Sequence, residues 1–407
     1  MDRRIVILGS GTGGTLTANR LRRHYDESEF RIIVADQDDD HVHRPGLVRV
    51  PFGLAEPEAI VRPRHLQLHD GIGLRRAKAA AVDLDADRVH FTDGTSLDYE
   101  VLVLATGTAA RPEEIQGLAG PGRDESVFTL HDLPGVLALR RALAAFEGGR
   151  LVAGVAGMPG TCPAAALEFC FLADRYFHRR GIRDRVDLAY VTPLDGAFAR
   201  PAASRVLGRL LEAKGIELVT GFTTATVDGK GGRLVSYDGR VVPFDLAAVV
   251  PPHSGAAYVG RSPGLGDERG FVTVDRRTLR STARPNVFAI GDATGTPGPE
   301  LVSAAHSQGR VLVNNIRRFL AGRPLDGSFD GPASGFVETG FGKALLVDFG
   351  QDTEPLFMKS RLNHFGRRAS SWLYWNSVLS GRELPGIGSA TPRPGRIRRR
   401  VPAGSIR

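Results

Sequence analysis

The stretch "RRIVILGSGTGGTLTANRLRR" constrains the fold of this chain more than any other. An apolar strand from Ile5 to Leu8 runs into Gly9, Gly11 and Gly14 and then into a helix-compatible segment. Glycines in that order let the chain turn tightly and let its backbone approach a pyrophosphate, which the helix N-terminus holds through unpaired N–H groups and its dipole. The next apolar strand, "FRIIVAD", ends in Asp36, where a carboxylate can take the hydroxyls of a ribose. A glycine turn alone says little. Set between a strand and a helix, with an acid closing the next strand, it predicts a dinucleotide-binding unit.

Two later segments specify the nucleotide. "YEVLVLATGTAARP" is a strand closing on Thr106 and Gly107, and "NVFAIGDATG" is another closing on Gly291 and Asp292. In this order and spacing they resemble the flavoproteins with two dinucleotide-binding domains that are related to disulfide reductases. The resemblance implies an FAD held by Gly9, Gly11, Gly14, Asp36, Thr106, Gly107, Gly291 and Asp292, with Asp292 on the ribityl chain. The segment "ELVSAAHSQGRVLVNNI" would then be a helix facing the flavin. It also implies an α/β fold of two Rossmann-like three-layer domains. The FAD-binding domain would comprise residues 1–110 and 261–330, the inserted NAD-binding-like domain 111–260, and the C-terminal segment 331–407.

With 407 residues, 42% of them hydrophobic, the chain can bury an ample core without disulfide staples. No apolar run reaches the roughly 18 residues of a membrane span, and a charged strand follows Met1 directly. A cytoplasmic protein is expected. The two cysteines, Cys162 and Cys170, fit a reducing compartment. The net charge of +8 is concentrated in part in the tail, where Arg396, Arg398, Arg399 and Arg400 crowd together. That tail suits anionic headgroups or plain solvation. Without interleaved aromatics it offers no stacking platform, so nucleic acid is not expected, and no metal site is expected either.

The inserted unit carries its own turn, "VAGMPGTCPAAALEFCF", followed by the strand "VDLAYVTPLD". A nicotinamide dinucleotide would want an acid at the end of that strand, but Tyr190, Val191 and Thr192 stand there and Asp195 comes too late. Pro159, Cys162 and Pro163 leave fewer N–H donors in the turn, so the unit is expected to keep the fold without the ligand. A thiol at a helix N-terminus is acidified and made nucleophilic. Cys162 can therefore be a sulfur nucleophile with Glu168 as its proton acceptor, or the two can be a small buried residue and a solvated acid. Cys170 reads as core, since eight helical residues separate it from Cys162 by about 12 Å, beyond disulfide reach.

"TCPAAALEFCFLADRYFHRRGIRDRVDLAYVTPL", "GDATGTPGPELVSAAHSQGRVLVNNI", "FVETGFGKALLVDFGQDTEPL" and "RLNHFGRRASSWLYWNSVLSGRELPG" resemble the bacterial sulfide:quinone oxidoreductases. That resemblance spans nearly the whole chain. It implies that Cys162 receives sulfide sulfur beside the flavin, that Glu168 moves protons, and that Phe336, Phe341 and Lys343 line a quinone slot. The chain departs from the pattern in three places. No cysteine follows Cys170, and Gly335 stands where the second redox cysteine belongs; Phe128 replaces a third; Glu300 stands where many relatives have a lysine near the ring.

"SSWLYWNSVL" places Trp372, Leu373, Trp375 and Leu379 at spacings compatible with one helical face, after Arg367 and Arg368. Such a face suits the membrane interface, and a core or dimer helix is the competing reading. The expectation is an FAD enzyme passing electrons from sulfide, or a related small sulfur donor, to a membrane quinone. It would lie peripherally on the inner face of the cell membrane, and a homo-oligomer is allowed. The alternatives are a type II NADH:quinone oxidoreductase and a non-catalytic redox-sensing flavoprotein.

Overall fold

The structure, a computed structural model, describes residues 3–157, 163–295, 302–329, 334–348, 356–358 and 372–381. In chain order its main elements are β1 Arg4–Leu8, α1 Thr12–Arg22, β2 Arg31–Asp36, β3 Ile72–Arg76, β4 Val101–Leu104, β5 Val127–Thr129, α2 Leu133–Ala145, β6 Gly149–Val155 and α3 Pro163–Arg179. Then come β7 Val186–Val191, α4 Pro201–Ala213, β8 Ile216–Val219, β9 Leu246–Val250, β10 Val287–Ala289, α5 Val302–Leu320, β11 Ser334–Glu338, β12 Ala344–Asp348 and β13 Leu356–Met358.

Two five-stranded sheets, parallel throughout, form the frame. The first has the order β10-β4-β1-β2-β3 and the second β5-β9-β6-β7-β8. Their central strands are apolar on both faces, as parallel strands covered by helices must be. Ile5, Val6, Ile7 and Leu8 are all buried, as are Val101 to Leu104 and Leu246 to Val250. The expected α/β class with two Rossmann-like units is what the chain folds into. A small antiparallel pairing of Ala109–Ala110 with His253–Ser254 joins the two units.

Two pieces tie the units together around α3. The 3-10 segment Arg44–Phe52 leaves the first unit and lays Phe52 on Phe169 and Tyr176 of α3, with ring centroids 5.0 and 5.6 Å apart. The antiparallel sheet β11-β12-β13 covers α3 further along, with Val337, Leu345 and Val347 in the same core cluster as Phe169 and Phe171. Behind α3, Asp174 is fully buried and receives Arg183 Nε at 2.9 Å and Lys214 Nζ at 2.7 Å. A buried carboxylate is tolerable only when so paired.

Candidate active site

At the end of β1 the chain makes the turn that its glycines allow. Gly9 sits at a φ of +95°, a left-handed conformation that glycine adopts freely, and a Cβ there would come within 2.5 Å of the Ala105 carbonyl oxygen. A Cβ on Gly14 would fall 1.8 Å from the Gly9 carbonyl oxygen. Gly11, by contrast, faces open space, with no atom within 4 Å of a Cβ built on it. It caps α1 without any side-chain hydrogen bond, and no acid occupies the first turn. An uncapped helix start behind an open glycine is the seat a pyrophosphate needs.

Asp36 closes β2 beside this seat. Its Oδ2 accepts from the Ser10 N–H at 2.6 Å and from Ser10 Oγ at 3.0 Å, and Arg64 Nη1 lies 3.2 Å away. These bonds hold the carboxylate at the rim of the turn and leave Oδ1 to the backbone N–H of Gln37. On the other side of β1, Gly107 (φ +63°) follows Thr106 at the end of β4, and Gly291 (φ +69°) precedes Asp292 at the end of β10. Both glycines face open space, so the ends of three adjacent strands leave one continuous cleft. Asp292 is half-buried there; burial pushes its carboxyl up, and Arg44 acts against the rise. The residues expected to hold FAD are thus brought together, and they fit it.

Three residues of this cleft were not singled out in the sequence. His41 lies in the short strand Asp40–Val42, His43 follows it and leads to Arg44, and Tyr374 comes from the C-terminal segment. The Tyr374 hydroxyl lies 2.8 Å from Thr12 Oγ1, inside the glycine turn, and 2.7 Å from His41 Nε2. His43 stacks on the same tyrosine with centroids 4.2 Å apart. Burial lowers His41 to about 3, helped by Arg64 and His43, and lowers His43 to about 4, helped by Arg49. Both rings are therefore neutral near pH 7. The segment "DHVHRPGL" has no periodicity that could have announced this; only its pairing of histidines with an arginine before a proline was visible.

The second sheet ends differently. After β7, Thr192 N donates to the Val219 carbonyl at 2.9 Å and Thr192 Oγ1 accepts from Leu194 N at 3.3 Å. Thr192 is fully buried, and no carboxylate takes the place that Asp36 holds in the first sheet.

Cys162 and Glu300 lie outside the described residues, as does the arginine tail. Glu168 is on α3, half-buried, and its Oε1 accepts from Glu338 N of β11 at 3.2 Å. Two further contacts set the direction of β11 relative to α3. A Cβ on Gly340 would lie 2.7 Å from the Phe171 carbonyl oxygen, and the rings of Phe341 and His178 are 5.5 Å apart. Strand and helix therefore run the same way. Walking back from Glu338 covers about 10 Å of strand to Gly335. Walking back five residues from Glu168 covers about 7.5 Å of helix, to its first residue Pro163. Gly335 is buried on β11.

The expected quinone residues lie along β11 and the turn that follows it. Phe336 is 58% exposed on β11. Phe341, with a φ of +50°, packs between His178 and Lys214, whose Nζ is 4.7 Å from the ring centroid. That places it some 15 residues, or about 22 Å, down the axis of α3 from its start. Lys343 is exposed beside it in the turn to β12. Cys170 is buried, as expected, its Sγ 3.8 Å from the Ala189 carbonyl, and burial pushes the thiol up.

The apolar face expected in "SSWLYWNSVL" divides. Residues Tyr374–Val378 wind as a π-helix, so the spacing no longer keeps one face. Trp375 and Leu379 are buried against the first unit, and Trp375 Nε1 donates to the Ala59 carbonyl at 3.3 Å beneath the Arg62 guanidinium, 4.8 Å from the ring. Only Trp372 is turned outward, 62% exposed. Among the described residues no helix is long and apolar enough to cross a membrane, and no group of side chains is arranged to hold a metal.

Two Rossmann units, the first shaped for a flavin dinucleotide and the second joined to it across a redox-type cleft, define an FAD-dependent oxidoreductase. The chain belongs to the pyridine nucleotide-disulphide oxidoreductase family, whose sequence pattern matches residues 3–309. It is 24% identical to the mitochondrial sulfide:quinone oxidoreductase of Mus musculus over 391 residues, covering 93% of this chain and 86% of that one. It is 30% identical to a probable ferredoxin reductase of Castellaniella defragrans over 313 residues, covering 73% and 69% of the two chains. The crystal structure of the sulfide:quinone oxidoreductase from Aquifex aeolicus superposes with a TM-score of 0.83 at 20% identity, over 94% of this chain and 93% of that one. The sulfide:quinone oxidoreductases are among the relatives that it resembles over nearly its full length.

Proposed function

We propose that this chain oxidises sulfide, or a related small sulfur donor, and passes the electrons to a membrane quinone. The observation that carries the reading is the alignment of β11 with α3. It lays the strand that is similar to the family's C-terminal redox segment beside the helix that Cys162 precedes. Bound FAD would supply the two-electron acceptor for the sulfur half-reaction and the donor for the quinone.

The chain's own residues act on the sulfur. The Cys162 thiolate would form a bond to the sulfur of hydrosulfide, giving a cysteine persulfide; the proton released would pass to Glu168, and bound FAD would accept the two electrons. The charge of the helix start favours the thiolate. With glycine at 335, no second thiol closes over this sulfur, so the persulfide must be handed on to an external acceptor such as a further hydrosulfide. Phe336 is the aromatic closest along the strand to the helix start and remains a quinone candidate; Phe341 and Lys343 stand at the far end of α3.

Trp372 and the arginine tail would bring the enzyme to the cytoplasmic face of a membrane, the arginines meeting anionic headgroups. Anaerobic titration of the flavin's visible absorbance tests the assignment. Sulfide should bleach the wild type and not Cys162→Ser, while NADH should leave both yellow. Bleaching by NADH alone would overturn it. Gly335→Cys should alter the rate of sulfur release rather than create activity.

A further inference from the structure

The family-type lysine near the flavin ring is missing from this chain, and the loop in question carries Glu300 instead. A flavin that accepts electrons gains negative charge, and a cation beside the ring favours that change. Arg44 is placed to provide one. It opens the 3-10 segment Arg44–Phe52, is exposed, and donates from Nη2 to the Thr108 carbonyl at 3.3 Å, one residue beyond the Ala105–Gly107 turn. Its neighbour His43 rests on Tyr374, which reaches the glycine turn at Thr12. Arg44 thus reaches the turn after β4, and its neighbour His43 connects through Tyr374 to the turn after β1.

The groups on which its charge bears come from three parts of the chain: Asp292 after β10, His253 at the junction with the second unit, and Tyr374 of the C-terminal segment. The pyrophosphate seat at Gly11 lies on the first unit and is touched from outside it by Tyr374 of the C-terminal segment; Arg44 adds the second unit to these, at His253. A meeting point of all three parts is where the reacting end of a bound dinucleotide must lie, because only there can a donor from the second unit and an acceptor from the C-terminal side both approach.

We infer that Arg44 is a positioning residue that stands by the isoalloxazine of bound FAD and stabilises its reduced, anionic form, in the place of the missing lysine. The guanidinium's fixed fork, held by the Thr108 carbonyl, keeps the charge at one point of the cleft.

The test uses purified holoenzyme and the variants Arg44→Gln and Arg44→Lys. The flavin's midpoint potential and its affinity for sulfite, an anion that adds reversibly to oxidised flavin when a cation is near, are measured together with FAD affinity. Arg44→Gln should weaken sulfite binding about tenfold. The midpoint should move negative by the corresponding amount, about 30 mV for a two-electron couple. Arg44→Lys should recover most of both. Unchanged potential and sulfite affinity in Arg44→Gln would overturn the inference, and so would a loss of FAD affinity with the potential unchanged, which would assign Arg44 to binding alone. If Arg44→Gln cannot hold flavin, the wild type decides: complete failure of sulfite to bleach it would also overturn the inference.

Discussion

The two sheets share the order of four strands, differ in whether the outer fifth strand comes last in the sheet's chain order (β10) or first (β5), and part company again at their carboxyl edges. In the first, β1 leads to an open glycine at the start of α1, and β2 ends in Asp36, gripped by Ser10. In the second, β6 takes the place of β1 and β7 that of β2, but β7 ends in Thr192, whose backbone and hydroxyl are spent on Val219 and Leu194. The stack of apolar strands holds the architecture in both. Ligand chemistry rests on a handful of residues at the strand ends, so it can be kept in one copy and lost in the other without disturbing the sheet.

The sharpest way to break this comparison is to add one carbon to each unit. Gly14→Ala drives a methyl into the Gly9 carbonyl, 1.8 Å away, and should abolish flavin retention on purification. Gly154→Ala in β6 meets nothing closer than 3.8 Å and should keep its flavin, with a change in unfolding free energy within about 1 kcal/mol. Flavin lost from both would mean that the units are not separable as described.

Exchanging the strand-end residues comes next. Asp36→Ala removes the acceptor of two bonds from Ser10 and the partner of Arg64, and FAD affinity should fall about 10- to 100-fold, read by flavin fluorescence. Thr192→Asp should not make NADH bleach the flavin. If it does, the second sheet has kept its nucleotide seat and only the ribose contact was missing.

Acid should act on the cleft and the junction. Folded His41 titrates near 3 and His43 and His253 near 4, against 6.5 for a free histidine. Below about 6.5 the unfolded chain takes up protons that the folded chain refuses, so the stability these groups contribute is complete above that pH. It is lost as the pH falls toward 4, by up to about 1.4 kcal/mol per pH unit for each histidine. Melting temperature against pH checks this, and His41→Asn should flatten the slope. The smallest effect belongs to Tyr374→Phe, which removes the hydroxyl between Thr12 and His41. It should cost about 1 kcal/mol and shift the flavin's visible circular dichroism. An unchanged spectrum would separate the C-terminal segment from the flavin site.

What could be read in the sequence was whatever has a short period or a fixed spacing. The buried runs Ile5–Leu8, Val101–Leu104 and Leu246–Val250 announced parallel strands, and the glycine turn with Asp36 announced its ligand. The absence of an acid after Tyr190 was equally plain. What stayed hidden was pairing over long separations: Arg44 with Thr108, Tyr374 with Thr12, Glu338 with Glu168. Each depends on how the connecting chain folds and leaves no local pattern. The segment around Trp375 left two readings open for a related reason: the π-turn and the cation above the indole, which bury Trp375 and leave Trp372 exposed, have no local signature.

The bond between Tyr374 and Thr12 joins residues 362 positions apart. A ribosome adding about 5–20 residues per second would take on the order of half a minute to supply the tyrosine after the glycine turn has emerged. Through most of that interval the first sheet lacks β10, and throughout it lacks the lining that Tyr374 provides. Holding of the cofactor in its final form is therefore an event of release rather than of early synthesis, and a chain truncated before its last forty residues should leave the cell's flavin supply largely untouched.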